Sequence, residues 1–259
     1  IALESIAVKP ENFDLKKIEK FDLVFTWNTD IVDNVKIFNL NYSYDLSYSK
    51  FLNFDQKKQF ICNISANKFS NHKSELYSER IKAIEFFEEY DGLFDLYGFN
   101  WDKSFKFPYI YNFFKALNNF RILRGLGKLL IKLIKVFSLE RLIFRNYNCY
   151  KGIIDDKYSV LKKYKFSICY ENVTNINGYI TEKIFDCFKN GTIPIYLGAK
   201  DIFDYIPRNT MIHFKDFDNY SDLKVYLEEI DRDKFNSYQN NIKEFLNSNK
   251  AKRFDSKEN

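Results

Sequence analysis

Cysteine is sparse in this 259-residue chain, with only Cys62, Cys149, Cys169 and Cys187 present, and no two of them form a CxxC pair. That spacing argues against a zinc site or a disulfide framework and for buried thiols in a reducing compartment. Glycine (8) and proline (4) are also few, while Lys, Asn, Ile, Phe and Tyr abound. This bias resembles that of an AT-rich genome and carries no functional meaning. In such an Asn-rich chain, Asn63-Ile-Ser65 and Asn172-Val-Thr174 are expected to be chance triplets rather than glycosylation signals. No stretch approaches the roughly 20 apolar residues of a membrane span, and no signal-peptide pattern is present. A strong charge imbalance is missing as well: 40 Lys+Arg against 35 Asp+Glu, interleaved, gives no reason to expect nucleic acid as a partner. The expectation is a soluble, cytoplasmic protein, at most peripheral to a membrane.

What is present is a 46% hydrophobic composition, enough for a packed core of one large domain or two modest ones. Ile1-Ala-Leu-Glu4 reads as a strand end running into a loop, so preceding sequence is expected. Residues 21–27 and 35–40 have short-strand character around a polar loop. Residues 59–65 read as a buried strand, 74–90 carry apolar residues (Tyr77, Ile81, Ile84, Phe87) at helical spacing, and 94–98 return as a strand. A second unit is clearer: a strand at 166–170, Thr181 placed to cap a helix over 182–190, Gly191 to end it, and a strand at 193–197. Repeated βαβ units imply a parallel sheet covered by helices, with ligands gathering beyond the carboxyl ends of its strands. The segment 118–147 places Arg121, Arg124, Lys128, Lys132 and Lys135 every three or four residues among apolar ones. It reads either as a packed helix with a solvated basic face or as a helix docking on an anionic membrane. Residues 221–248 read as two helices divided near Asp231-Arg-Asp233.

A nucleotide-sugar diphosphate needs cations and helix N-terminal amides for its phosphates, and carboxylates or amides for its ribose hydroxyls. Glu171-Asn172, followed by Gly178-Tyr179-Ile-Thr181-Glu182-Lys183, supplies these types, with Lys183 at the start of the predicted helix. Spacing alone leaves a helix start with a surface lysine equally open. Asp216-Phe-Asp218 and Asp231-Arg-Asp233 could pass for metal-binding pairs, but their setting suggests caps and solvated charges.

The run from Tyr164 through Glu171-Asn172, then Gly178-Tyr-Ile-Thr-Glu-Lys-Ile-Phe-Asp186 and Gly191-Thr-Ile-Pro-Ile-Tyr-Leu-Gly198, closely resembles the donor-binding signature of glycosyltransferase family 10, the α-1,3/1,4-fucosyltransferases. More weakly, Ser74–Phe87 and Phe94–Gly98 resemble the family's first βαβ unit of the donor domain, and Phe21–Asp33 the strand and loop of bacterial and viral relatives. Two departures stand out: the loop between Asn172 and Tyr179 is one residue longer than in well-known members, and Leu197 stands where bacterial members often carry tryptophan.

The resemblance implies an α/β chain of GT-B type, with two Rossmann-like domains facing a cleft and the N-terminal one truncated. Residues 1–55 would be part of the acceptor side, 56–220 the donor domain and 221–259 C-terminal helices. It implies transfer of fucose from GDP-fucose to a glycan hydroxyl by a single inverting displacement, with no cofactor and no obligatory metal. Another GDP-deoxysugar, or a silent nucleotide- or glycan-binding protein of the same fold, are the alternatives. Arg80 matches the family arginine that contacts the donor phosphates; without the resemblance, a surface pairing with Glu75 or Glu79 would be the expectation. Lys183 would share the phosphate role, Glu171, Asn172 and Glu182 would belong to the donor site, and Tyr179 would line the nucleotide pocket. Ala2-Leu-Glu4-Ser5 resembles the short segment that carries the family's base, which makes Glu4 the catalytic candidate against the plain reading of a surface glutamate. Lipopolysaccharide or another surface glycan is the expected product.

Overall fold

The computed structural model describes residues 4–105, 129, 132–133 and 144–257. The basic segment 118–147 therefore lies almost wholly outside the described residues. Near the start, α1 (Leu15–Ile18) packs Ile18 against a small parallel pair, β1 (Val24–Thr26) and β2 (Ile37–Asn39), through Val24 and Ile37. The return into β2 is set by Asp33, whose carboxylate accepts the amides of Val35, Lys36 and Ile37 at 2.8–2.9 Å.

The main sheet begins with β3 (Gln59–Ile64), α2 (Tyr77–Glu88) and β4 (Phe94–Tyr97). A short antiparallel pair, β5 (Ser104–Phe105) and β6 (Phe144–Arg145), precedes β7 (Tyr150–Gly152). Then come α3 (Lys157–Leu161), β8 (Tyr164–Tyr170), α4 (Glu182–Lys189), β9 (Ile193–Leu197), α5 (Ile202–Tyr205) and β10 (Ile212–His213). Three further helices follow: α6 (Tyr220–Glu228), α7 (Arg232–Leu246) and α8 (Asn249–Lys252). The six main strands are all parallel in the order β10-β9-β8-β3-β4-β7. Counted within the sheet this is 6-5-4-1-2-3, the doubly wound order of dinucleotide-binding folds, whose direction reverses between β3 and β8.

A parallel sheet covered on both faces needs strands that are apolar on both sides, and β8 and β9 are buried almost throughout. One face holds Cys62, Cys169, Ile184, Phe185 and Phe188; the other holds Ile61, Ile84, Phe87, Phe166 and Ile195. α6 adds Leu223 and Leu227 to the second face, and α7 adds Phe235 to it and Ile242, Phe245 and Leu246 to the first. The helices of 221–259 thus share the cores of the main sheet. All four cysteines are free and buried. Leu197, at the position of the tryptophan departure, packs in the second core.

α4 ends as its sequence suggests, with Gly191 at φ 59° one residue beyond the cap. Asp231 caps α7 by accepting the Lys234 amide at 2.8 Å, while Asp216 pairs with Arg208. Among the described residues, no group of His, Cys, Asp or Glu side chains is arranged to hold a metal ion, and no helix is long and apolar enough to cross a membrane.

Candidate functional site

β8 ends at Tyr170, and the alternation of a strand sends its next two side chains in different directions. Glu171 turns inward and is fully buried. Its Oε1 accepts the Thr181 amide at 2.8 Å, and its Oε2 accepts the Thr181 hydroxyl at 2.7 Å and Lys183 Nζ at 3.1 Å. The carboxylate thereby fastens the first turn of α4 to the end of β8. Thr181 occupies the N-cap position as its sequence setting suggests, but its side chain makes no capping bond. The hydroxyl is claimed instead by two charges, donating to Glu171 and accepting from Lys183 Nζ at 2.9 Å.

Asn172 turns outward. Its Oδ1 accepts from Arg80 Nη2 at 3.1 Å and its Nδ2 donates to the Tyr179 hydroxyl at 3.2 Å. Arg80, buried near the start of α2, also donates from Nη2 to the carbonyls of Tyr170 (2.7 Å) and Glu171 (2.6 Å). Pairing with Glu75 or Glu79 does not occur. Glu75 accepts the Tyr77 and Ser78 amides at the start of α2, and Glu79 pairs with Lys82 and accepts from the Tyr220 hydroxyl.

A cavity of about 280 Å³ opens over this junction, between the carboxyl ends of β3 and β8, at the topological switch point. Arg80, Asn172, Glu182 and Lys183 all line it, together with Asn63, Ser65, Lys68, Lys157 and Asp186. Four cationic side chains against two carboxylates make the lining net positive. An adjoining hollow of about 330 Å³ shares Ile64, Ser65, Ala66 and Lys157 and extends over β4 and the lead-in to α3. Burial acts to lower the Lys183 pKa, but the carboxylates of Glu171 and Glu182 outweigh it and hold the ammonium charged. Burial likewise acts to raise that of Glu182, but Lys183, its own backbone amide, Lys157 and the Thr181 hydroxyl together outweigh it, so the carboxyl sits below its ordinary range. Both groups keep their charge at neutral pH.

Tyr179 does not line the cavity. It is buried against Trp27, ring centroids 4.7 Å apart, in a small core with Val173, Ile6, Phe13 and Tyr42. Its contribution to the site is the hydroxyl that receives Asn172. Glu171 is likewise not among the residues that line the cavity; through hydrogen bonds both residues hold ones that do, Tyr179 meeting Asn172 and Glu171 meeting Lys183. Beside them Gly178, at φ 75°, lies so close to the Trp27 carbonyl that a β-carbon would overlap it, and its amide donates to Asp201 at 2.8 Å. The N-terminal segment and the signature loop are therefore locked together. Glu4 is exposed and outside the cavity wall. It lies near enough to act on the Tyr77 and Tyr42 hydroxyls, whose pKa values are raised by burial first and by the Glu4 charge in part.

Several lining residues lay outside the sequence reading. Asn63 and Ser65 had a signal, polar side chains at the carboxyl end of an apolar strand, which was absorbed by the glycosylation triplet. Lys157 and Asp186 form an ion pair joining α3 to α4 across the cavity wall, and nothing in their separate sequence settings foretells it.

Comparison with known proteins bears on this geometry. Residues 130–254 match the family model described as glycosyltransferase family 10 (fucosyltransferase) C-term. An α-(1,3)-fucosyltransferase FucT of Helicobacter pylori is 42% identical over 77 residues, 29% of this chain and 16% of that protein. An α-(1,4)-fucosyltransferase of Arabidopsis thaliana is 32% identical over 79 residues, 30% of this chain and 20% of that protein. The mouse 4-galactosyl-N-acetylglucosaminide 3-α-L-fucosyltransferase 9 is 38% identical over 85 residues, 31% of this chain and 23% of that protein. The matched part thus spans about a fifth of each relative. Among solved structures, a point mutant of S. aureus TarM in complex with fondaparinux, α-GlcNAc-glycerol and UDP superposes with a TM-score of 0.54 at 14% identity, covering 92% of this chain and 43% of that one. Anabaena HepE with UDP gives 0.53 at 12% identity, covering 96% and 66%. At such identities the likeness is one of fold, that of the GT-B glycosyltransferases. Residues 130–254 of this chain thus match the C-terminal part of glycosyltransferase family 10, the fucosyltransferases.

Proposed function

We propose that the cavity between β3 and β8 binds GDP-fucose and that the protein transfers fucose to a glycan hydroxyl, forming an α-1,3-type linkage with inversion at the anomeric carbon. The observation that carries this reading is the convergence of Arg80 and Lys183 on one positively charged cavity, with Asn172 and Glu182 beside them, in a chain that matches the C-terminal part of this family. Arg80 makes its three hydrogen bonds to the described residues through Nη2, and none of these leaves from Nε or Nη1. With Lys183 it would stabilise the charge that builds on the β-phosphate as the bond from its oxygen to the sugar breaks. Asn172 and Glu182 would hold ribose or phosphate oxygens. The acceptor oxygen attacks the anomeric carbon from the opposite side and gives its proton to Glu4, and GDP departs. Glu4 reaches the reacting centre only from the acceptor side, which residues 1–55 would supply in part. No metal takes part in this scheme, and activity should persist in EDTA.

The acceptor we assign is a lipopolysaccharide or other surface glycan, met at the cytoplasmic face of a membrane by the basic segment 118–147. Its support is the recurrence of Lys and Arg among apolar residues. Flotation with anionic vesicles, with and without that segment, tests the membrane contact. If deletion leaves flotation unchanged, that part fails.

The central experiment incubates the protein with a panel of nucleotide sugars and measures binding and nucleotide release, with and without glycan acceptors. GDP-fucose should bind and release GDP when acceptor is present. Binding without release under any acceptor would favour the silent binding protein, and failure to bind any GDP-sugar would refute the reading.

A further inference from the structure

Two buried polar atoms face the donor cavity without a partner among the described residues. Asn63, near the end of β3 and 1% exposed, has no hydrogen-bond acceptor for Nδ2, and Ser65 Oγ has no partner either. Side chains two apart in a strand share a face, so Ile61, Asn63 and Ser65 point the same way. Ile61 packs in one core with Ala83, Ile84 and Phe87 of α2. That is the side from which Arg80 enters the cavity, so the amide, the hydroxyl and the guanidinium line one wall.

The backbone beneath them cannot shift to satisfy them. Ser65 N donates to the Tyr97 carbonyl at 3.0 Å, and its own carbonyl receives Trp101 Nε1 at 2.6 Å. The Gly98 backbone is pressed against the same carbonyl so closely that any β-carbon would overlap it. A buried N–H held rigidly without an acceptor disfavours the folded state unless a ligand meets it. An amide nitrogen only donates, so the ligand atom has to be an acceptor. In a cavity of net positive charge, anionic oxygen fits best.

We propose that Asn63 Nδ2 and Ser65 Oγ donate hydrogen bonds to phosphate oxygens of the nucleoside diphosphate, beside Arg80. This rests on the donor-binding reading above. Arg80 and Lys183 supply charge, while Asn63 adds direction without charge and fixes where a phosphate oxygen sits. Fixing that oxygen orients the bond that breaks during transfer.

The test is a calorimetric titration of GDP, with GMP by competition, into the wild type, Asn63→Leu, Ser65→Ala and Lys183→Met, with melting temperatures recorded without ligand. Loss of a hydrogen bond to a charged oxygen should weaken GDP binding roughly 10- to 100-fold in Asn63→Leu. The GDP-to-GMP preference should shrink, and the ligand-free melting temperature should hold or rise, because an unsatisfied group has been removed. A merely structural asparagine would give the opposite pattern, a lower melting temperature with unchanged affinity, and that result overturns the proposal. Weakening of GDP and GMP by the same factor overturns the phosphate assignment. If Asn63→Leu does not fold, Ser65→Ala decides: about 5- to 10-fold weaker GDP binding supports the proposal, and unchanged binding refutes it. Should Lys183→Met lose GDP while both β3 variants bind like the wild type, this inference fails and the donor site stands. Should the wild type bind no GDP, both fall together.

Discussion

Removing the Glu171 carboxylate is expected to loosen the start of α4 before it affects any ligand contact. In Glu171→Ala the Thr181 amide and hydroxyl lose their acceptor, and Lys183 keeps the Thr181 hydroxyl at 2.9 Å but, of its carboxylates, only the more distant Glu182, 3.7 Å away. Breaking a buried pair by deleting one partner costs about 3–5 kcal/mol. Because Lys183 retains 23% of its side-chain exposure, water can take over part of the pairing, so about 2–4 kcal/mol is the better expectation. For a chain of this size that corresponds to a melting temperature lower by roughly 5–15 °C. Glu171→Gln, which keeps one acceptor oxygen but sets an amide against the remaining donors, should lose about half as much. Thermal melts followed by circular dichroism measure both, and GDP titration completes the assay. GDP should still saturate the glutamine variant, with reduced affinity, because Arg80, Asn172 and Lys183 remain on the wall. A melting temperature within about 2 °C of wild type for Glu171→Ala would show that the three hydrogen bonds do not hold α4, and the positioning role would have to be abandoned.

Lys183→Ala should impair donor binding by at least tenfold, whereas Glu4→Gln should leave it nearly intact and abolish transfer; a fully active glutamine variant removes Glu4 as the base. Gly178→Ala demands both a left-handed backbone and space already filled by the Trp27 carbonyl, so a loss of about 2 kcal/mol or more is expected in denaturant unfolding. Lys57 is buried with Nζ donating to the carbonyls of Lys162 and Asn190 and to Thr192 Oγ1, and burial takes its pKa from 10.5 down to about 7. Between those two pH values the unfolded chain binds the extra proton, so this group makes stability rise as pH increases through that window. Stability curves of the wild type and Lys57→Met should therefore converge or cross between about pH 7 and 10.5, and parallel curves would contradict the buried-lysine account.

Both βαβ units were legible because β3, β8 and β9 are short apolar runs and α4 has a strongly one-sided apolar face, and the signature residues lie at the carboxyl end of the sheet. The boundaries moved where side chains intervene. α2 begins at Tyr77 instead of Ser74 because the Glu75 carboxylate takes up the first free amides. What sequence could not resolve was direction. Glu171 and Asn172 are neighbours of similar polarity, yet one is enclosed as a fastener and the other faces the cavity. Tyr179, expected to line the nucleotide pocket, packs its ring on Trp27. Asn63 was hidden because an orphaned amide is defined by what surrounds it in space, and its surroundings come from β4, α2 and β8.

The adjacency of β3 and β8 has a kinetic consequence. Arg80 and Tyr170 meet across 90 residues of chain, so the cavity does not exist until a long loop has closed and the central strands have paired. Loop closure of that length delays productive contacts, which places formation of the pocket late among folding events. Nucleotide capture would then report completion of the whole sheet. A folding assay that follows GDP fluorescence analogues should lag behind one that follows helix content by circular dichroism.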